Sequence, residues 1–278
     1  MSVQDILELN DNDVKKTSIV MAIHCAPLLM GIKAANIITV TARELMIIRQ
    51  MLVGTGISYY TLKLIPRRAS KKGRSETKHI LYLFRKKELL EYLSREDVKE
   101  LLSDYGYESQ LEAVLDLYYE IKQYDEVVQQ NELENNVDIT IAIYMLLKEL
   151  SGRIMMYCGG NIEFPHEIGA FLEYPVEDVR GFLDNNGENF LYSGYWKVYH
   201  NVKETKKLFK QYDFVKEFAV REIIGGKTIK DIAVWVYIII FKAWTYEDMT
   251  GMYDNNELGY VSENLKIDLS TPGNTFDA

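Results

Sequence analysis

The sequence lacks the features that mark several large classes of protein. It has only two cysteines, Cys25 and Cys158, in 278 residues, which excludes a disulfide framework and fits a reducing compartment. Its most apolar run, residues 232–241, has ten residues and is too short to span a bilayer. The first residues carry no cationic start followed by an apolar stretch, so we expect no signal peptide. These absences predict a soluble, cytoplasmic protein.

The chain also has fewer basic than acidic residues, 32 against 41. The formal net charge is −9 and the isoelectric point is about 5.1, which argues against bulk electrostatic attraction to nucleic acid or to anionic membranes. We therefore expect neither as a partner. The sequence contains no Walker loop, glycine-rich dinucleotide fingerprint or G-x-S-x-G elbow, and it identifies no cofactor, reaction or oligomeric state.

The patterns that are present alternate between helix and strand. Apolar residues recur at helical spacing through most of the chain, and Gly225-Gly226 ends a long amphipathic helix. Pro27 predicts a helix break near Cys25, with a new helix starting at Ala26. Strands are predicted from β-branched and aromatic runs at 35–41, 57–65, 79–85 and 189–199. The sum predicts an α+β fold, mostly helical, with a small antiparallel sheet of about four strands.

The stretch FPHEIGAFLEYPVEDVRGFL, residues 164–183, predicts two short helices joined by a tight turn. Pro165 and Pro175 suit helix starts, and the carboxylates that follow each proline complement the helix dipole. Such a pair can read DNA, but Glu177 and Asp178 on the second helix would repel phosphate and are opposed by only one arginine, Arg180. The pair therefore predicts structure more strongly than DNA recognition.

Several motifs resemble the bacterial family known as domain of unknown function 3793, in order and spacing across residues 20–107 and 150–230. They are HCAPLLMGIKAANI, LYLFRKKELLEYL, LLSDYGY, FPHEIGAFLEYPVEDVRGFLDNNG and GYWKVYHNVKETKKLFKQYD. The resemblance implies a compact cytosolic protein of anaerobic Gram-positive bacteria with no established activity. It implies a single domain over residues 1–235. This chain departs from the family pattern in a longer helical stretch, a predicted insertion at about 112–148, and in an addition after residue 235. Residues 236–278 would be a C-terminal extension, partly disordered.

His24 and Cys25 form the first candidate for chemistry. A thiol at a helix N-terminus has a lowered pKa, so Cys25 is a candidate nucleophile, redox thiol or metal ligand. The alternative is that Cys25 is a small core residue and that His24 caps a helix. Because adjacent helical residues point about 100° apart, His24 cannot easily act as the base for Cys25.

His166 and Glu167 form the second candidate. An imidazole at a helix start is a candidate general base or ligand, and the alternative is simple dipole complementation by Glu167. HEIGA is not H-E-x-x-H, and a metal site would need ligands from separate segments, so we predict no metal.

Polar residues at the ends of other elements extend the predicted site. Tyr195 and Lys197 belong to an aromatic strand that would stack on a planar ligand and pair with its anionic group, or would fill the core. Lys33 and Asn36 follow a short glycine-containing helix, at an element end where sites tend to occur. A basic hairpin loop is a candidate anion site, or a solvated loop, through Arg67, Arg68, Lys71 and Lys72.

The sequence thus supports three hypotheses. The first is a protein that binds a small ligand or cofactor in a pocket formed by the HCAP segment (residues 24–27), the FPHEIG segment (164–169) and the GYWKVY segment (194–199). If it is an enzyme, Cys25 and His166 are the predicted catalytic pair. The second is a regulatory or interaction module that uses the helix pair and the basic loop. The third, implied by an association of the resembled family with flavodoxin-like redox genes, is redox or metal handling.

Overall fold

The computed structural model describes residues 11–62, 78–125 and 137–235. These residues form a mostly helical α+β fold with two small antiparallel sheets. In chain order the elements are α1 (Asp11–Leu29), β1 (Ala35–Thr41), α2 (Ala42–Met51), β2 (Ile57–Leu62), β3 (Lys78–Arg85), α3 (Lys86–Leu93), α4 (Glu96–Ser103), α5 (Glu108–Asp125), α6 (Val137–Cys158), α7 (Ile168–Phe171), α8 (Val176–Asp184), β4 (Tyr192–Ser193), β5 (Lys197–Val198), α9 (Val202–Ile224) and α10 (Ile229–Trp235). No helix within these ranges is long and apolar enough to cross a membrane.

The first sheet has the strand order β1-β3-β2, and both neighbours run antiparallel to β3. Side chains alternate between the two faces of a strand. On β3, Tyr82 and Phe84 enter a core shared with α3–α8, whereas Leu81 and Leu83 enter a second core shared with α1, α2, α9 and α10. The central strand is therefore covered on both faces, and the sheet separates two layers of helices.

A buried arginine joins the sheet to the second layer. Arg85, at the end of β3, donates hydrogen bonds to the carbonyl oxygens of Leu28 (3.1 Å), Leu29 (2.9 Å) and Ala233 (3.3 Å). The last carbonyls of a helix have no partner within the helix. The guanidinium thus satisfies the C-terminal end of α1 and ties α10 to it.

The helix break predicted at Pro27 is wrong, because α1 is continuous from Asp11 to Leu29. Pro27 lies in the last turn, where its missing N–H removes one bond near the end of the helix. Beyond it, the N–H groups of Ile32 and Lys33 both bond to the Pro27 carbonyl, and Gly31 takes a left-handed φ of 65° that turns the chain. The proline therefore lies beside the helix stop and does not divide the helix.

The single strand predicted at residues 189–199 is instead a hairpin of two two-residue strands, β4 and β5. The predicted sheet of about four strands is accordingly one sheet of three strands and a separate sheet of two. Gly194 lies between β4 and β5, and a Cβ there would overlap the ring of Phe209 on α9. The hairpin needs glycine at this position because its backbone packs directly on an aromatic ring.

The predicted helix pair is present as α7 and α8, although α7 spans only Ile168–Phe171. Asp178 on α8 holds the hairpin to this pair. Its Oδ2 accepts the indole N–H of Trp196 (2.7 Å), and its Oδ1 accepts the backbone N–H groups of Tyr199 (2.7 Å) and His200 (2.9 Å). The carboxylate is 2% exposed, so these three bonds replace its hydration.

We predict that Asp178→Asn lowers the free energy of unfolding by about 1–3 kcal/mol. The new amide keeps an oxygen for the two backbone donors but turns an N–H toward the indole N–H of Trp196. Urea unfolding measures the change, with Asp184→Asn as the control, since Asp184 is exposed on the same helix. If both variants lost the same small amount of unfolding free energy, the role assigned to Asp178 would be contradicted.

Candidate functional site

A cleft of about 430 Å³ opens between the helix pair α7–α8 and the β4–β5 hairpin. Its walls are largely aromatic, with apolar side chains such as Leu172 and Val179 between the rings. Glu163 and Glu188 also line it. The rings come from Phe164, His166, Tyr174, Phe182, Tyr195 and Trp196.

The inner wall is a packed set of rings. Tyr174 stacks on Trp196 with centroids 4.9 Å apart and an interplanar angle of 26°. Trp196 meets Phe209 of α9 edge-on at 4.5 Å, and the indole N–H is bound to Asp178. Each ring is thus held by a neighbour or a hydrogen bond, so the wall is preformed.

His166 is half-buried in the cleft between two phenyl rings. Its ring centroid lies 5.0 Å from that of Phe164 and 4.7 Å from that of Phe182. Burial lowers the pKa of His166, because the charged imidazolium loses hydration, although Glu167 and Glu163 oppose the shift. Within the described residues its side chain makes only ring contacts, so both ring nitrogens remain available to a ligand.

Lys197 lines the same cleft from β5. Its Nζ lies 5.5 Å from the ring centroid of Phe182 and 5.4 Å from that of Phe190. Among the residues whose side chains the structure describes, no carboxylate lies within ion-pair distance of it. The ammonium is therefore held by ring faces and keeps its three N–H donors.

Tyr195 contributes its ring to the cleft, but its hydroxyl is engaged. The hydroxyl donates to Asp213 Oδ1 on α9 at 2.9 Å. Burial and the Asp213 carboxylate raise the pKa of Tyr195, so it is a neutral donor and wall residue at neutral pH. Of the residues predicted for the site, the cleft thus brings together His166, Tyr195 and Lys197.

The HCAP segment does not line this cleft. Cys25 is fully buried in the core formed by α1, α9 and the sheet, near the C-terminal end of α1. Burial raises the pKa of its thiol to about 12, so the helix N-terminus assumed from the sequence, and the lowered pKa expected from it, are both absent. A neutral, enclosed thiol is a poor nucleophile. The structure does not bring Cys25 and His166 to one surface.

Asn36 and His24 belong to the surroundings of that thiol. The Asn36 side-chain amide donates to the His24 carbonyl oxygen (2.7 Å) and lies 3.4 Å from the sulfur of Cys25. His24 is largely buried, and its Nδ1 has no hydrogen-bond partner within the described chain. Burial, with a smaller contribution from Lys216, lowers the pKa of His24. These residues link the end of α1 to the start of β1.

Lys33 lies behind the inner wall of the cleft. It is 7% exposed, and its Nζ is 5.3 Å from the centroid of the Tyr174 ring. Nearby, Glu173 takes a left-handed φ of 57° in the turn between α7 and α8, and its carboxylate accepts the N–H groups of Ala34 and Ala35 at the start of β1. Burial lowers the pKa of Lys33 to about 8 and raises the pKa of Glu173.

Glu167 is also away from the cleft. It is fully buried, and its Oε1 accepts the Nε–H of Arg153 and the hydroxyl of Tyr107 (3.2 Å). This ion pair connects the helix pair to α6 and to the turn before α5. The predicted anion-binding residues Arg67, Arg68, Lys71 and Lys72 lie outside the described residues. Within the described ranges, no group of three His, Cys, Asp or Glu side chains is placed to hold a metal ion.

Sequence reasoning did not select Phe164, Tyr174, Phe182 or Asp178 for the site. The sequence signal for Phe164 and Tyr174 is the pair of aromatic-proline dipeptides, whose prolines predict helix starts. The same aromatic residues that precede the prolines turn into the cleft. Two aromatic-proline dipeptides that precede an aromatic hairpin in the chain are the sequence pattern that could have predicted an aromatic pocket.

We predict that the stability of the wild type relative to Lys33→Met rises with pH. Because the folded pKa of Lys33, about 8, lies below its ordinary value of 10.5, the unfolded chain binds more protons between these values. Between about pH 8 and pH 10.5, the free energy of unfolding of the wild type should increase relative to that of Lys33→Met by up to ~3 kcal/mol. Urea unfolding at a series of pH values tests this, and parallel curves for the two proteins would contradict it.

Comparisons with known proteins place the chain in a family. The model described as "Protein of unknown function (DUF3793)" matches residues 21–126 and 117–233. No curated protein and no solved structure matches the chain. The two matched segments overlap and include every helix and strand from β1 to α9, together with the cleft. The chain therefore belongs to the DUF3793 family, whose function is not known.

Proposed function

We propose that the protein binds a small planar molecule that carries an anionic group, in the cleft between α7–α8 and the β4–β5 hairpin. The observation that supports this most is the combination of ring walls with a lysine that has no counter-charge among the described residues. The proposal narrows the predicted pocket to the FPHEIG and GYWKVY segments.

The size and lining of the cleft favour a small molecule. Ligand pockets typically measure about 300–1,000 Å³ and are lined by apolar and aromatic side chains with a few polar groups. The cleft has about 430 Å³ and such a lining. A planar ligand would find aromatic side chains on the cleft walls, including the Tyr174–Trp196 stack.

Lys197 favours an anionic group on that ligand. Because Glu163 and Glu188 also line the cleft, that group would have to lie away from these carboxylates. Lys197 has three donors and no carboxylate partner within the described chain, and His166 adds two unengaged ring nitrogens. The nearby carboxylate of Asp178 accepts three hydrogen bonds from the protein, so its capacity is already used by the hairpin. A carboxylate or phosphate of the ligand would give Lys197 a charge-assisted hydrogen bond.

The two other hypotheses draw less support from the described residues. An interaction module that uses the basic loop rests on residues 67–72, which lie outside them. Redox or metal handling would need an accessible thiol or a ligand cluster. Cys25 is enclosed, and the half-buried Cys158 does not line the cleft. No such cluster occurs in the described part of the chain.

We predict that Lys197→Gln weakens binding of a planar aromatic carboxylate by about tenfold or more, because a charged donor is lost. Naphthoate and its uncharged analogue naphthamide are suitable probes, measured by calorimetry and ligand-observed NMR. Lys148→Gln, an exposed change on α6, is the control and should bind as the wild type does. Equal loss for naphthoate and naphthamide, or no binding of either, would contradict the proposal.

We predict that affinity for naphthoate increases as the pH falls below 6.5. The pKa of His166 lies below that value in the free protein, so the imidazole is neutral at pH 7 and gains a positive charge only in more acidic solution. A bound anion favours the protonated form, and by linkage the protonated form binds the anion more tightly. In His166→Gln the pH dependence should disappear while binding at pH 7 remains. A wild-type affinity that does not change with pH would contradict this role.

A further inference from the structure

The β4–β5 hairpin and the first half of α9 form a surface that combines lysines with exposed apolar side chains. We call it the hairpin–α9 surface and define it as residues 190–210. It carries five lysines against one glutamate, whereas the whole chain has a net charge of −9. The expectation that an acidic chain avoids anionic surfaces concerns the average charge and does not describe this region.

The lysines of α9 lie on one exposed stripe. Lys203, Lys206, Lys207 and Lys210 are all exposed and follow the i, i+3, i+4, i+7 spacing of a single helix face. The opposite face, with Phe209 and Tyr212, is buried. Lys207 pairs with Glu204, while Lys203, Lys206 and Lys210 have no ion pair with any described residue. Three positive charges are therefore uncompensated within the described chain.

Apolar side chains continue this stripe onto the hairpin. Leu191 is 66% exposed, and its neighbour Phe190 is 40% exposed. One contact joins the two parts, since Lys206 Nζ of α9 lies 4.4 Å from the ring centroid of Tyr192 in the hairpin. Within the hairpin segment, Lys197 Nζ lies 5.4 Å from the ring centroid of Phe190. These lysines thus contact the aromatic side chains that flank the exposed Leu191 in the chain.

We propose that the hairpin–α9 surface docks on membranes that contain anionic lipid. Clustered lysines attract acidic headgroups, and exposed leucine and phenylalanine side chains gain free energy by entering the acyl boundary. Leu191 distinguishes a membrane from a nucleic acid, because an aliphatic side chain cannot stack on a base but is favoured in lipid. The proposal does not depend on the proposed ligand, although Tyr195, Trp196 and Lys197 belong both to this segment and to the cleft.

Vesicle co-sedimentation tests the proposal on the full chain. The wild type should sediment with vesicles that contain phosphatidylserine, less so as salt increases, and not with vesicles of phosphatidylcholine alone. The double variant Lys206→Glu/Lys210→Glu should lower the apparent affinity by about tenfold or more, since each lysine near an anionic surface contributes to binding. Leu191→Ser should also weaken binding although it changes no charge.

Matched control variants distinguish a specific role of this surface from the effect of changing the overall charge or of removing any exposed apolar side chain. Lys15→Glu/Lys16→Glu changes the same charge on exposed α1 residues, and Val53→Ser removes another exposed apolar side chain, 72% exposed. Both should bind as the wild type does, and thermal melting should show that every variant is folded. Lys206→Gln/Lys210→Gln removes the two positive charges without adding negative ones, so it should lower the vesicle affinity less than the double glutamate variant does.

Three outcomes would overturn the proposal. They are no sedimentation with phosphatidylserine vesicles, an equal loss of binding in the α1 control, and wild-type binding by Leu191→Ser. Tight binding of a single-stranded oligonucleotide that is insensitive to Leu191→Ser would assign the surface to nucleic acid instead. None of these variants changes a residue assigned to the cleft, so naphthoate binding should persist in all of them. The two proposals can therefore fail separately.

Discussion

The burial of β3 on both faces constrains the rest of this structure. Its odd and even residues enter different cores, so helices must cover the sheet on two sides, and the chain supplies α1, α2, α9 and α10 to one side and α3–α8 to the other. A consequence is that residues predicted from the sequence to share one site can lie in different layers. Cys25 lies in the α1–α9 layer, whereas the cleft with His166 forms at the edge of the opposite layer.

The turn at Glu173 and Tyr174 connects these two layers. Glu173 accepts the N–H groups that start β1, and Tyr174 separates the buried ammonium of Lys33 from Trp196 in the cleft wall. Asp178, one turn further on, fixes the hairpin that carries Trp196 and Lys197. Hydrogen bonds from Glu173 and Asp178 therefore position the cleft walls together with apolar and aromatic packing.

The candidate site was predicted in part. His166, Tyr195 and Lys197 were selected as polar residues at element ends, and they meet in one cleft. Cys25, Asn36, Lys33 and Glu167 were selected by the same argument, and the structure places them in the interior. A sequence pattern shows that a polar residue lies near the end of an element, but it does not show whether that end faces solvent or a core.

The sequence by itself determined the element types, because helix and strand follow from local periodicity, glycine stops and β-branched runs. It also determined the α+β class and membership in the DUF3793 family, through motifs that are contiguous in the chain. Only the tertiary structure decided which side chains share a surface. The partners of Asp178 lie 18 to 22 residues away, and Ala34 and Glu173 are 139 residues apart. Contacts between residues so far apart in the chain depend on how the two helical layers pack against the sheet. Local sequence patterns do not predict that packing.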